Sequence, residues 1–306
     1  MKHCIVITGP TATGKTALAV ALARRLDSEV ISADSMQVYT GMDIGTAKPT
    51  PAEQEGIVHH LLDVCPPRAA FSAARYVELA TPIVERLLAE GKTPVIAGGT
   101  GQYIDALLKG EEFSAFSGAR RSELQTRLDT EGIESLLAEL KTIDPDRAAI
   151  LAPNDHKRIL RALEVFYETG ETITTHDARS KTRPSKFAAH TFVLQYADRA
   201  DLYERINRRV DEMLEAGLLD EIRGLLARGI PPTATAMQAI GYKELIPPIL
   251  SGEGLDEAVE LLKQRSRNYA KRQLTWHRRN AAAVPIVWNP TPDLTWAVEK
   301  ICEVNR

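Results

Sequence analysis

Cysteine is scarce in this chain: Cys4, Cys65 and Cys302 are the whole supply in 306 residues. They are odd in number and too widely spaced for a CxxC ligand pair, which argues against a zinc knuckle or a disulfide framework and leaves reduced cytosolic thiols. Long apolar runs are missing as well. No stretch approaches the roughly 18 residues of a membrane span. The apolar run at residues 1–8 leads straight into a glycine loop, so it reads as a buried strand and not as a signal peptide. The expectation is a cytoplasmic protein without a membrane segment. Charge of one sign is not in excess either, since 38 Lys and Arg against 41 Asp and Glu leave a formal net charge of -3. Positive potential therefore cannot coat the surface uniformly, although nucleic-acid binding needs only a local basic patch. Internal repeats and low-complexity tracts are absent.

What is present is an ordinary globular composition, 44% hydrophobic and 26% charged, which leaves no room for extensive disorder. The length allows a large core and a smaller satellite. Residues 1–108 alternate short β-branched runs with helical stretches: CIVIT, KTALAVALARRL, EVISA, a helix over 73–90, TPVIA, and a helix from Gln102. That is the order of a parallel α/β sheet. Pro82 falls inside the 73–90 helix and is expected to kink or divide it. From about Glu112 to Lys186 the strands vanish, and RRSELQTRLDT, ESLLAELKTI and DHKRILRALEVFYETG follow as helical patterns. HTFVLQY then restores the sheet, ahead of a helix over 199–216 that Gly217 is placed to end. After a loop at Pro231 and Pro232 come further helices, one of them over about 255–279, and a late strand, PIVW.

Gly9, Pro10, Thr11, Ala12, Thr13, Gly14, Lys15 and Thr16 fit G-x-x-x-x-G-K-[ST] at every fixed position, between a predicted strand and a predicted helix. In that setting the glycines turn backbone N–H groups toward an anion, the helix N-terminus adds its positive end, Lys15 adds a charge and Thr16 can hold Mg²⁺. The predicted fold class is α/β. It consists of a P-loop parallel-sheet core from residues 1–111 and 187–306, with an inserted helical subdomain at 112–186. A P-loop names no chemistry by itself. Of the two strands that could end in a metal-side acid, VISAD ends at Asp34 and PVIAGGTG ends in glycines and Thr100. Spacing leaves three roles open for Asp34: metal-side acid, general base, or N-cap for a following helix.

Further segments carry a more specific signal. Asp34-Ser35-Met36-Gln37-Val38-Tyr39, GMDIGTAKP at 41–49, HHLLDV at 59–64, AGGTGQY at 97–103, NDHKRILRALEV at 154–165, ERINRRVDEML, QAIGYKEL at 238–245 and RNYAKRQLTWHRR at 267–279 together resemble the tRNA dimethylallyltransferase (tRNA isopentenyltransferase) family. The resemblance runs in the same order over essentially the full length. It implies transfer of a dimethylallyl group from dimethylallyl diphosphate to N6 of the adenosine 3′ of the anticodon, with diphosphate leaving and Mg²⁺ as cofactor. By the same resemblance, the loop at 9–16 and Arg209 hold the diphosphate, Thr16 holds the metal, Asp34 is the general base on the adenine amine, and Thr100 helps orient that amine. The tRNA contacts it implies are Asp34, Ser35, Met36, Gln37 and Thr100; Lys157, Arg158, Ile159, Leu160 and Arg161 in the insertion; Gln238, Ala239, Ile240, Gly241, Tyr242 and Lys243; and Arg121 in a segment that aligns poorly. The target base is expected to leave its stack. The expected partners are the anticodon stem-loop of tRNA and dimethylallyl diphosphate, with the enzyme acting as a monomer. Gln102 departs from the apolar residue that the resemblance leads one to expect, which puts the local pocket wall in question.

Other signals are weaker. Residues 263–279 hold seven Lys or Arg and no acid, interleaved with Tyr269, Trp276 and His277; an excess of one sign on one helix favours phosphate-backbone contact over a merely solvated face. Trp276 reads as core. Lys157, Arg158 and Arg161 occupy adjoining faces of one helix, and ion pairing with Asp155 or Glu164 is the plain alternative to RNA contact. His59 and His60 lack metal-ligand spacing and read as core or hydrogen-bonded residues. Two other functions remain in view: a small-metabolite kinase using ATP on the P-loop, and an RNA-binding protein with the P-loop as a nucleotide switch.

Overall fold

The computed structural model describes residues 3–111, 119–182, 184–278 and 280–305, with the side chain of Lys181 outside the description. The chain divides into two compact units, one formed by Met1–Gly110 with Lys186–Arg306 and the other by Glu111–Ser185.

The first unit begins with β1 (Cys4–Thr8), α1 (Lys15–Arg25), β2 (Val30–Ser32), α2 (Pro51–Gln54), β3 (His59–His60), α3 (Ala73–Ala89), β4 (Val95–Ala97) and α4 (Gly101–Lys109). The second unit holds α5 (Ala119–Glu131), α6 (Ile133–Ile143), α7 (Pro145–Ile150), α8 (His156–Thr169) and α9 (Ile173–Thr182). The chain then returns through β5 (Ala189–Tyr196), α10 (Arg199–Glu215), α11 (Leu218–Ala227), α12 (Tyr242–Ser251), α13 (Leu255–His277), β6 (Val284–Trp288) and α14 (Leu294–Val304).

The six strands form one parallel sheet in the order β3-β2-β4-β1-β5-β6. Every residue of β1 is buried, as a central parallel strand covered on both faces requires. Its neighbours reverse the chain order: Ile5 pairs with Val95 of β4 on one side and with His190 of β5 on the other. Ligands bind where strand order reverses in this way, beyond the carboxyl ends of the strands. The loop at 9–16 follows β1, Asp34 follows β2, and Gly98 to Thr100 follow β4, so all three come to that end.

One core packs Ile5, Ile7, Leu18, Leu22, Phe192, Leu194, Ile206 and Trp288 around the sheet. Another joins Val38, Tyr39 and Met42 to α11, α12 and the start of α13. The helical unit has its own core, in which Leu124, Leu136, Leu140, Ile159, Leu160 and Leu163 meet.

Pro82 does not divide α3, which runs unbroken from Ala73 to Ala89. Its buried face, with Tyr76, Val77 and Ala80 before the proline and Val84 and Leu87 after it, continues across Pro82 and keeps both halves packed as one helix. β3 has no strand pattern in the sequence: it is two half-buried histidines paired to β2 by backbone alone.

Candidate active site

The phosphate loop is built by backbone constraints. Gly9 has φ 141°, and a Cβ there would come within 2.5 Å of the Leu194 carbonyl oxygen, so no other residue fits between β1 and β5. Ala12 at φ 64° is left-handed without being glycine, a strain of roughly 1–3 kcal/mol. Neighbours hold it there: Arg205 Nε donates to the Ala12 carbonyl (3.3 Å), Trp288 Nε1 donates to the Thr13 carbonyl (2.9 Å), and the Thr13 hydroxyl donates to the Pro10 carbonyl (2.8 Å). Helix α1 starts at Lys15 with no capping side chain and no acid in its first turn, which leaves its N–H groups and positive end for an anion.

Two cations face this loop. Lys15 Nζ donates to the carbonyls of Gly9 (3.1 Å) and Pro10 (2.6 Å), and Arg209 Nη1 donates to the Thr11 hydroxyl (3.4 Å). Burial and then the Arg209 charge push the Lys15 pKa down to about 7, against a smaller upward pull from Asp34. Burial lowers Arg209 as well, again opposed by Asp34. Such a pair is held at an electrostatic cost that an incoming polyanion relieves.

Asp34 caps a turn and not a helix: Oδ1 accepts from Met36 N (2.8 Å) and Gln37 N (3.3 Å), and residues 35–38 form turns. The Thr100 hydroxyl accepts from Ser35 N (3.0 Å) and donates to Ser35 Oγ (3.3 Å). Gly98 permits this closeness, because a Cβ there would lie 2.2 Å from the Ala33 carbonyl oxygen. Gln37 Nε2 donates to the carbonyls of Thr46 and Ala47.

A cavity of about 350 Å³ opens beside these groups, lined by Thr11, Ala12, Asp34, Ser35, Met36, Arg209, Gln238, Ala239, Ile240, Gly241 and Lys243, with Ile206, Val210, Met213, Leu262, Tyr269 and Arg272 closing it. A second, of about 630 Å³, is lined by Gly14, Thr16, Lys48, Glu53, Arg205, Arg208 and Glu212 among others. Ala12, Arg209 and Met213 belong to both walls, so the cavities adjoin at Arg209. Tyr242 does not line the first cavity with its neighbours. It is fully buried, and its hydroxyl donates to Glu221. Gln102 is exposed and lines neither cavity, so it leaves the pocket wall unaltered.

Several residues that organise the site went unassigned in the sequence. Gln273 accepts from Thr11 N (3.0 Å) and donates to the Gly99 carbonyl (3.1 Å), which ties α13 to two strand ends. His277, also buried, lies 3.4 Å from the Thr8 hydroxyl; burial and the Lys15 charge lower its pKa to about 4. Arg205 lies one turn from Arg209 on α10, a spacing that could have drawn attention to it.

The basic run on α13 is not one exposed stripe. Lys263 pairs with Asp211 (2.8 Å), Arg267 donates to Asn207 (2.5 Å), and Arg272 lies over the Tyr269 ring at the first cavity. Arg279 is outside the described residues. Trp276 is half-buried against Gly101, where a Cβ would meet its ring at 2.2 Å. His59 Nδ1 bonds the Ile57 carbonyl and His60 Nε2 bonds Glu29. Among the described residues no cluster of His, Cys, Asp or Glu could hold a metal ion, and no helix is long and apolar enough to cross a membrane. The cysteines are free.

In the helical unit, Ile159 and Leu160 are 0% and 1% exposed. They are core residues of α8 and have no surface to offer RNA, which corrects the expectation drawn from the run they lie in. Lys157, Arg158 and Arg161 are exposed. Arg158 pairs with Asp155 (2.6 Å) and Arg161 with Glu164 (2.8 Å), while Arg121 lies 3.9 Å from the same Glu164.

The IPP transferase family matches residues 37–280 of this chain, a span that includes Thr100, Arg209 and the 238–243 segment. A tRNA dimethylallyltransferase of an Exiguobacterium species is 48% identical over 276 residues, covering 90% of this chain and 86% of that protein. That of Geobacillus kaustophilus is 46% identical over 303 residues, covering 98% and 94%. Among solved structures, the full-length tRNA isopentenylpyrophosphate transferase from Bacillus halodurans superposes with a TM-score of 0.72 at 40% identity, over 99% of this chain and 95% of that one. A eukaryotic dimethylallyltransferase acting on tRNA gives a TM-score of 0.83 at 30% identity, over 99% and 78%. With a parallel sheet, a phosphate loop and these similarities over nearly its whole length, the chain belongs to the IPP transferase family.

Proposed function

We propose that this chain transfers a dimethylallyl group from dimethylallyl diphosphate to N6 of the adenosine 3′ of the anticodon in tRNA, as the names of its relatives suggest. The observation that carries the reading is the placement of two half-buried cations, Lys15 and Arg209, at the phosphate loop, beside a cavity that Arg209 and the carboxylate of Asp34 both line. The diphosphate lies on the loop at 9–16, where Lys15, Arg209 and the N–H groups of α1 offset the charge that grows on the departing oxygens. The extruded adenine enters the first cavity. As the C1–O bond breaks, the N6–C1 bond forms and the N6 proton passes to Asp34, which removes the charge that would otherwise build on a weak nucleophile. Thr100 acts beside it by fixing Ser35.

Mg²⁺ takes few protein ligands when phosphate oxygens and water supply the rest. The Thr16 hydroxyl, on the wall of the second cavity beside Gly14, fits that requirement, and the ion would add charge neutralisation at the leaving diphosphate. Lys157, Arg158, Arg161 and Arg121 supply contacts to the RNA backbone. The enzyme works as a cytoplasmic monomer.

Incubation with Mg²⁺, unmodified tRNA and dimethylallyl diphosphate labelled in its hydrocarbon should label the RNA at that adenosine. Unlabelled RNA alongside ATP hydrolysis or phosphoryl transfer to a small acceptor would replace this reading with a kinase.

A further inference from the structure

The stretch at 43–48 contributes to the walls of both cavities. Gly45 and Thr46 lie on the wall of the first, and Asp43, Ile44, Ala47 and Lys48 on the wall of the second. It contains no helix or strand, so its position depends on what grips it. Glu221 of α11 does so: Oε2 accepts from Asp43 N (2.7 Å) and Ile44 N (2.8 Å), and Oε1 accepts from Gly45 N (3.1 Å). Successive N–H groups converging on one carboxylate form an anion nest, here filled by the protein itself. The Tyr242 hydroxyl donates to Oε1 as well, at 2.5 Å. Gly45 makes room for that ring, since a Cβ there would meet it at 2.5 Å. Tyr242 in turn stands between Gly241 and Lys243, both on the wall of the first cavity. One carboxylate thus ties this stretch to the wall that faces the acceptor.

We propose that Glu221, with Tyr242, is a positioning residue that fixes the shared wall at 43–46 and so sets the distance at which the acceptor amine meets the prenyl carbon. The proposal rests on the prenyl-transfer reading above. A shared wall that shifts leaves each cavity able to fill but alters the line between their contents, and a misplacement of about 1 Å costs on the order of 100-fold in rate. The turnover number should therefore respond, and not substrate affinity.

Glu221→Gln keeps the shape but turns an NH₂ group toward N–H donors, and Tyr242→Phe removes only the hydroxyl. With saturating tRNA and dimethylallyl diphosphate, Glu221→Gln should lower kcat by about 100-fold, with both KM values within roughly threefold of wild type. Tyr242→Phe should lower kcat less, and the double variant should be no slower than Glu221→Gln alone, because both act through one carboxylate. Unchanged kcat with raised KM, multiplicative effects in the double variant, or a lowered melting temperature with normal kinetics would overturn the proposal. If Glu221→Gln does not fold, Tyr242→Phe carries the same KM and kcat comparison. Wild-type protein that transfers no prenyl group would sink the functional reading instead. The grip itself would then still be read by amide exchange at Asp43, Ile44 and Gly45, which Tyr242→Phe and Glu221→Gln should accelerate and which unchanged protection would refute.

Discussion

The phosphate end of the sheet and helix α8 both gather positive side chains, and they settle that charge in opposite ways. On α8, Arg158 and Arg161 are exposed and each bonds a carboxylate three residues away. The Arg158–Asp155 pair is solvent-exposed and worth about 0–1 kcal/mol, so an RNA phosphate can take Arg158 at little cost, whereas Arg161 also compensates the buried Glu164 carboxylate. At the phosphate loop, Lys15 donates to carbonyls and Arg209 to a hydroxyl, and among the described residues neither has a carboxylate within ion-pair distance. Burial makes that charge costly. Cations that a fold neutralises serve many purposes, whereas half-buried cations left without a carboxylate partner beside an uncapped helix end mark where an anion belongs.

The largest effect should come from the carboxylate nearest that contrast. Asp34→Asn keeps the turn bonds to Met36 and Gln37, because Asn caps as well as Asp, yet cannot accept the proton. Its kcat should fall by roughly 10²–10⁴-fold with both substrates still bound and no rescue by added Mg²⁺; rescue by Mg²⁺ would make Asp34 a metal-side acid. On α8, replacing Lys157, Arg158 and Arg161 with Ala should weaken tRNA binding and flatten its salt dependence by somewhat under one unit of log slope per lost contact, with kcat at saturating tRNA retained. An unchanged slope would remove α8 from the interface.

A smaller effect concerns pH. An unfolded chain protonates His277 near pH 6.5, whereas burial and the Lys15 charge hold it neutral in the fold until about pH 4. The unfolded state therefore takes up the proton first. The fold is spared this penalty above about pH 6.5 and loses on the order of 3 kcal/mol as pH falls toward 4. Urea unfolding of wild type and His277→Gln at both ends of that window should show the larger loss in wild type, the carboxylates that the fold holds ionised contributing equally to both. Equal losses would place the acid sensitivity elsewhere.

The strand-loop-helix at 4–25 was legible because its signal is local: an apolar run, two glycines at fixed spacing and a helical pattern. Asp34 was legible as a strand-end acid, but its partners decided between capping a turn and capping a helix. Gln273, His277 and Glu221 left no local trace, since their partners lie 174 to 269 residues away for the first two and, for the third, 176 to 178 residues away at the 43–45 backbone and 21 at Tyr242. Ile159 and Leu160 differ, because their signal was present. Apolar residues on a helix whose charges lie elsewhere belong to its core face, and the burial of both follows that rule and not the run of sequence that surrounds them.

The central claim is that the unneutralised cations are aimed at a diphosphate and the paired ones at RNA. Titration of inorganic diphosphate in the presence of Mg²⁺ into wild type, Arg209→Ala and the triple α8 variant tests it most directly. Wild type and the α8 variant should bind alike, and Arg209→Ala at least about 10-fold more weakly, as expected for a lost charge-assisted contact worth about 1.5–3 kcal/mol. Arg209→Ala binding diphosphate as wild type does, while losing affinity for tRNA, would contradict the account.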